Sequence, residues 1–256
     1  MTLETFGELI VKYKQRTYRN LVHTKRLQSF EVIVKETDLL VHARENLAGI
    51  TRDLILEHRG IIESFIENCP EFLETLHPWP LLRPAPNIVK DMAEAGRQAG
   101  VGPMAAVAGT LAEYVGMDLL RHSSEVIVEN GGDIFIKTEE PVTIGVFAAK
   151  SPLSLQIGLR VDSTLGPQAV CTSSGTVGHS LSLGKADAVC VVSNSCALAD
   201  AAATAIGNRV HSKKDIQGAI ELAKNIENIY GAAIIIGEDL GIWGALEIVP
   251  LKTKKG

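Results

Sequence analysis

The chain has 256 residues, 46% hydrophobic and 21% charged, with a formal net charge of -5. Such a chain can bury a sizeable core as one large domain or two small ones, which excludes a disordered polymer. The acidic balance, with no block of basic residues, argues against nucleic acid as a partner.

The start, Met1 to Phe6, has no basic region followed by an apolar run, so no signal peptide is expected. No apolar stretch is long enough to span a bilayer, and no membrane partner is expected. Cys69, Cys171, Cys190 and Cys196 form no Cys-x-x-Cys pair, which points to free thiols in a cytoplasmic setting.

Residues 16 to 43 read as strands, with Phe30, Val32 and Val34 alternating with polar neighbours and a new apolar run from Leu39 to Val41. From Glu45 to Asn68 the apolar spacing becomes helical, and Glu71 to Leu76 adds a short helix. Residues 77 to 87 hold four prolines, so they are the best linker candidate, although Trp79 suggests packing. Asn87 can cap a helix reaching about Gln98, and Pro103 can open another reaching Val115. Glu125 to Val128 and Ile134 to Ile136 flank Asn130-Gly-Gly-Asp133, a strong hairpin signal. Further strands are expected over Val142 to Ala148, Leu153 to Leu159 and Ala169 to Thr172. The run Val189 to Val192 ends in Ser193, Asn194 and Ser195, good N-cap residues, before an alanine-rich helix that stops near Gly207. Asp215 to Glu227 gives another helix, and Ala232 to Ile236 and Ile242 to Val249 close the chain as strands. Helices and strands mix without strict alternation, so the expected class is α+β, with antiparallel sheets packed with helices. Residues 1–256 are read as one mixed domain, 1–76 as its strand-and-helix beginning and 88–250 as its motif-bearing core.

Two nucleotide motifs fail. Gly100-Val-Gly102-Pro-Met-Ala105 fits a dinucleotide fingerprint, but a helix precedes it where a strand is required. Gly178 to Ala186 resembles a P-loop with one residue too many between its glycines and alanine in the magnesium-binding position.

Other residues carry more. Asp200 and Thr204 are four apart on the alanine-rich helix, which stacks two hard oxygen ligands on one face. Helix-terminus electrostatics and back-bonding to the preceding turn explain the same pair without a metal. Gly131 and Gly132 form a plain turn or let a ligand approach the backbone. Thr172-Ser173-Ser174-Gly175 is an ordinary loop or a phosphate cradle. His179 is a surface residue or a polar ligand contact. Cys171 and Cys196 flank this region, and a thiol at a helix N-terminus can be activated.

In order, these pieces resemble the ApbE family, the FAD-dependent protein FMN transferases. The carriers are Ala106-Val-Ala-Gly-Thr-Leu-Ala-Glu-Tyr114, Asn130-Gly-Gly-Asp133, Thr172-Ser-Ser-Gly175 with His179, and Ala199-Asp-Ala-Ala-Ala-Thr-Ala205, within about residues 88 to 237. The closer likeness is to an uncharacterised, shorter ApbE-related family of bacteria and archaea, without a lipoprotein signal and linked with sulfur assimilation in anaerobes. The resemblance implies a T-fold-like α+β duplication, FAD bound with Mg²⁺, and FMN transfer to a Thr or Ser of a target protein. It implies Asp200, Thr204 and the Ala108 carbonyl as metal ligands, and Gly131, Gly132, Asp133, Thr172, Ser173, Ser174, Gly175 and His179 around the nucleotide. The family's Lys is replaced by Gly109, and the Asp, Pro and Thr of its His-Ile-Ile-Asp-Pro-x-Thr-Gly motif are missing. The expected function is thus binding of a flavin nucleotide or related phosphorylated ligand, with FMN transfer retained or changed. The alternative is a non-catalytic partner in sulfur assimilation, and the small-residue helices would also suit a homo-oligomer.

Overall fold

A computed structural model describes residues 26–81, 84–175 and 183–251. Its first hairpin joins β1 (Gln28–Val34) to β2 (Thr37–Ala43) through a turn at Lys35, whose φ is 52°. Helices α1 (Ala48–Asn68) and α2 (Glu71–Glu74) follow, then α3 (Asn87–Ala99) and α4 (Val107–Leu119). The hairpin β3 (Val126–Asn130) and β4 (Asp133–Lys137) turns on Gly131 and Gly132. Next come β5 (Val142–Gly145), β6 (Ile157–Val161), β7 (Gln168–Ser173) and β8 (Ala188–Ser193). The alanine-rich segment is α5 (Cys196–Gly207), and α6 (Ile216–Lys224), β9 (Ile229–Ile236), β10 (Asp239–Gly244) and β11 (Glu247–Pro250) complete the described chain.

The strands form an eight-stranded sheet, ordered β1-β2-β3-β4-β7-β8-β9-β10, and a three-stranded sheet, ordered β11-β6-β5. Every pairing is antiparallel, as the α+β reading expected. Side chains alternate across the large sheet with period two. Val126, Val128, Phe135, Cys171, Val189 and Val191 face the helices, where they pack with Val115, Ala199 and Ile206. Ile127, Ile134, Ile136 and Val170 face the small sheet and meet Val142, Ile144 and Leu159. A further layer sets α3, through Val89, Met92 and Ala93, against Ala197 and Ala201 of α5. Both faces of α5 are therefore buried, which explains its alanines: neighbours on either side must approach closely.

Several boundaries differ from the sequence reading. Asn87 is the first residue of α3 rather than its cap, because Pro86 occupies the capping position. Gly207 lies inside α5, and the helix leaves through Asn208 in a right-handed conformation. The strands expected over 142–148 and 153–159 differ in extent: β5 ends at Gly145 and β6 starts at Ile157, after Leu155 at a positive φ of 59°. The Ser151 hydroxyl holds that loop by donating to the Gly237 carbonyl at 2.5 Å. The expected strand 242–249 is two strands in different sheets, broken at Gly244, whose φ is 89°. A Cβ there would stand 2.1 Å from the Tyr230 carbonyl oxygen. The helix expected to reach Glu227 ends at Lys224. Residues 16–25 of the first strand reading lie outside the described residues. The proline-rich stretch is irregular but packed, with Trp79 edge-on to Phe72 at 6.0 Å. Among the described residues no helix is long and apolar enough to cross a membrane.

His42 on β2 is buried, with its Nδ1 2.7 Å from the Ser29 hydroxyl. Burial pushes its pKa down to about 4 from an ordinary 6.5. The unfolded chain therefore takes up the proton first. The stability due to neutral His42 is present above pH 6.5 and is lost as pH falls towards 4, by at most about 3 kcal/mol. Chemical denaturation from pH 7 to 4.5 is expected to show a shallower loss for His42→Gln than for the parent chain. Parallel curves would contradict this assignment.

Candidate functional site

Helix α5 starts beneath the sheet, where its free N–H groups cannot reach water. Its first turn holds no acidic residue, and Ser195 alone caps it, accepting from the Leu198 N–H at 3.3 Å. The remaining donors go to another helix. Glu113 of α4 accepts from the N–H groups of Cys196 and Ala197 at 2.7 and 3.3 Å and from the Ser195 hydroxyl at 3.3 Å. Burial raises the Glu113 pKa, while these donors oppose that rise.

The reverse interaction closes the pair. Asp200 of α5 accepts from the Gly109 N–H at 2.9 Å and also from Ala108 N–H, both in the first turn of α4. Each helix thus supplies the carboxylate that satisfies the other's first turn, a favourable place for negative charge. Such closeness needs glycine at 109, because a Cβ there would stand 2.4 Å from the Cys196 carbonyl oxygen and 2.8 Å from the Asp200 Cβ.

The β3–β4 hairpin forms the floor. Gly131 and Gly132 have φ values of 68° and 121°, which side chains rarely tolerate. Asn130 donates its amide to the Ala108 carbonyl at 3.0 Å, taking one of that oxygen's two lone pairs. Asp133 faces Cys171 across the β4–β7 ladder. The Cys171 thiol in turn reaches the Cys196 carbonyl at 3.5 Å, and the Cys196 thiol reaches the Ile134 carbonyl at 3.7 Å. Among the described residues the buried Asp133 Oδ1 has no hydrogen-bond partner. Burial raises the Asp133 pKa to about 7, with the Glu129 charge adding to it. Burial and then the Asp133 charge push Asp200 well up, although one edge of that residue reaches solvent.

The structure brings Ala108, Gly131, Gly132, Asp133 and Asp200 together, with the Thr172 carbonyl 3.4 Å from where a Gly132 Cβ would be. Thr204, half-buried, lies one turn beyond Asp200. Ser173 is placed further along, its hydroxyl 3.7 Å from a Cβ built on Gly207. Ser174 follows, half-buried, and Gly175 packs on Gly184, where a Cβ would be 2.3 Å from the carbonyl oxygen. His179 lies outside the described residues.

Glu113, Asn130 and the packing role of Gly109 were not read from the sequence. The signal for Glu113 was available: an alanine-rich, buried helix start without acid in its first turn must borrow an acceptor from elsewhere. The structure lends no support to the activated-thiol reading, since Cys171 and Cys196 are both buried. Cys196 does open a helix, but burial pushes its thiol up, and the Glu113, Asp133 and Asp200 charges push the same way. Cys171 is raised further and Cys190 to about 11, chiefly by burial. Among the described residues no three His, Cys, Asp or Glu side chains form a metal cluster. A cation here would need hydroxyl, carbonyl or water oxygens as well, the habit of a hard ion.

The family model described as AbpE bacteria matches residues 19–236. The chain belongs to this family. Similar proteins carrying this ApbE-related sequence include a UPF0280 protein of Methanococcus aeolicus, 40% identical over 222 residues, 84% of this chain and 90% of that one. A UPF0280 protein of Methanosarcina barkeri is 40% identical over 215 residues, 82% of this chain and 84% of its own. Among solved structures, the apo flavinyl transferase ApbE of Pseudomonas stutzeri aligns with a TM-score of 0.52 at 14% identity, covering 85% of this chain and 94% of that one. The ApbE protein of Thermotoga maritima aligns with a TM-score of 0.52 at 14% identity, over 84% and 96%. These two likenesses establish an ApbE fold for the family member described here.

Gly109→Ala is expected to force α4 and α5 apart and to cost on the order of 1–3 kcal/mol. Chemical denaturation measures it. A loss no greater than that of an exposed Gly→Ala change, such as Gly218→Ala on α6, would show that the helices are not held at contact distance.

Proposed function

We propose that this protein binds a flavin nucleotide with Mg²⁺ at the junction of α4, α5 and the β3–β4 hairpin, and transfers FMN to a Thr or Ser of a protein. The observation that carries the reading is the convergence of Asp200, Ala108 and the Gly131–Gly132 turn, three separate sequence motifs, on one place in an ApbE fold.

The donor set suits a hard divalent cation. Asp200, the Thr204 hydroxyl and the second lone pair of the Ala108 carbonyl would hold it, and the buried Asp133 Oδ1, without a hydrogen-bond partner among the described residues, lies on the same hairpin as Asn130. When bound, Mg²⁺ supplies charge neutralisation at a pyrophosphate under attack. The chain's own residues do the positioning. The N–H groups of Ala108 and Gly109 fix the Asp200 carboxylate, so its orientation does not depend on the ligand. Asn130 fixes the Ala108 carbonyl, and the paired glycines let the backbone approach the nucleotide. Gly109 stands where the related transferases carry Lys, and its contact with Asp200 gives that replacement a packing reason. In the transfer, the target hydroxyl oxygen bonds to the FMN phosphorus and releases its proton to water, the pyrophosphate bond breaks, and AMP leaves with the electron pair.

Purified protein incubated with FAD, Mg²⁺ and a Thr-bearing peptide is expected to give a yellow complex, a peptide carrying one FMN mass, and free AMP. Asp200→Ala is expected to abolish the modification, at least 100-fold in rate. A colourless protein and an unmodified peptide would overturn the transferase reading in favour of a non-catalytic partner. Unchanged activity in Asp200→Ala would overturn the site.

A further inference from the structure

Asp133 ends the hairpin on the helix-facing side of the sheet, beside Asn130 and opposite Cys171. It is 7% exposed, and among the described residues its Oδ1 has no hydrogen-bond partner. A buried carboxylate oxygen in that state is unfavourable. Cys171, its neighbour across the ladder, donates to the Cys196 carbonyl at the turn of α5 that carries Asp200, and the Asp133 charge acts on Asp200 from the sheet side.

We propose that Asp133 is a second carboxylate ligand of the cation, with Oδ1 as its coordinating atom. This rests on the cation reading above and adds to it. Asp133 then belongs to the metal rather than to the nucleotide side of the site. Two carboxylates, one hydroxyl and one carbonyl make an all-oxygen set with a formal charge of minus two, which selects a divalent over a monovalent ion. They also repel one another when the cation is absent. The buried thiols of Cys171 and Cys196 are already engaged with backbone carbonyls, so they do not draw the site towards soft metals.

The test uses the full chain, freed of metal with a chelator and titrated with Mn²⁺ by calorimetry, with and without FAD. Asp133→Asn is expected to weaken Mn²⁺ at least tenfold. It is also expected to raise the melting temperature of the chelated protein while shrinking the rise that Mn²⁺ induces. A purely structural Asp133 would give the opposite pattern: a lower melting temperature and an unchanged Mn²⁺ response. Asp133→Ser makes the same test without the bulk of an amide. Mn²⁺ binding at parental strength in these variants, with binding lost in Asp200→Asn, would overturn the proposal and leave the Asp200 cation site standing. No Mn²⁺ binding by the parent chain, even with FAD, would overturn both.

Discussion

Two buried helix beginnings face each other at the centre of this protein, and each is completed by a carboxylate from the other. Glu113 of α4 satisfies the start of α5, and Asp200 of α5 satisfies the start of α4. The arrangement answers a constraint that neither helix meets alone. An N-terminus presents N–H groups that need acceptors, and water is excluded from this layer. Because the exchange is mutual, the two helices are fixed in register as well as in distance. Gly109 permits the contact, and the alanines of α5 let β7, β8 and α3 close around it.

That lock also orients the candidate site. Asp200 is held by backbone groups before any ligand arrives, and Asn130 holds the Ala108 carbonyl in the same way. The hairpin places Asp133 against this pair, where burial makes a second negative charge costly. Charge, rather than shape alone, therefore distinguishes this spot from the rest of the core. Burial pushes the Cys196 thiol up despite its helix-start position, and the neighbouring carboxylates add to that rise.

Much of this was legible in the chain. Period-two alternation marked β1, an apolar run marked β2, and the paired glycines located the β3–β4 hairpin turn. Ser195, one of three N-cap candidates in the sequence, is the cap, and an N-cap depends on residues close in sequence. Asp200, Thr204 and Ala108 were singled out by spacing and resemblance, and the fold sets Ala108 against the Asp200 turn. What escaped was non-local. Glu113 is 83 residues from Cys196, and no local pattern announces that bond. The break at Gly244 escaped for a related reason. Apolar residues run up to it and past it, and only the division of strands between two sheets forces the chain to turn there. The Lys-to-Gly difference at 109 reads from sequence as a lost contact, whereas the packed helices show what the missing side chain makes possible.

The account stands or falls on where a divalent cation sits. Crystals grown with Mn²⁺ and FAD, measured at the manganese absorption edge, locate it directly by anomalous scattering. The account predicts a single strong peak bounded by Asp200, Thr204, the Ala108 carbonyl and Asp133, with the flavin pyrophosphate beside it. Asp200 and Asp133 closed on each other through hydrogen bonds, with manganese absent or bound only at the surface, would contradict it.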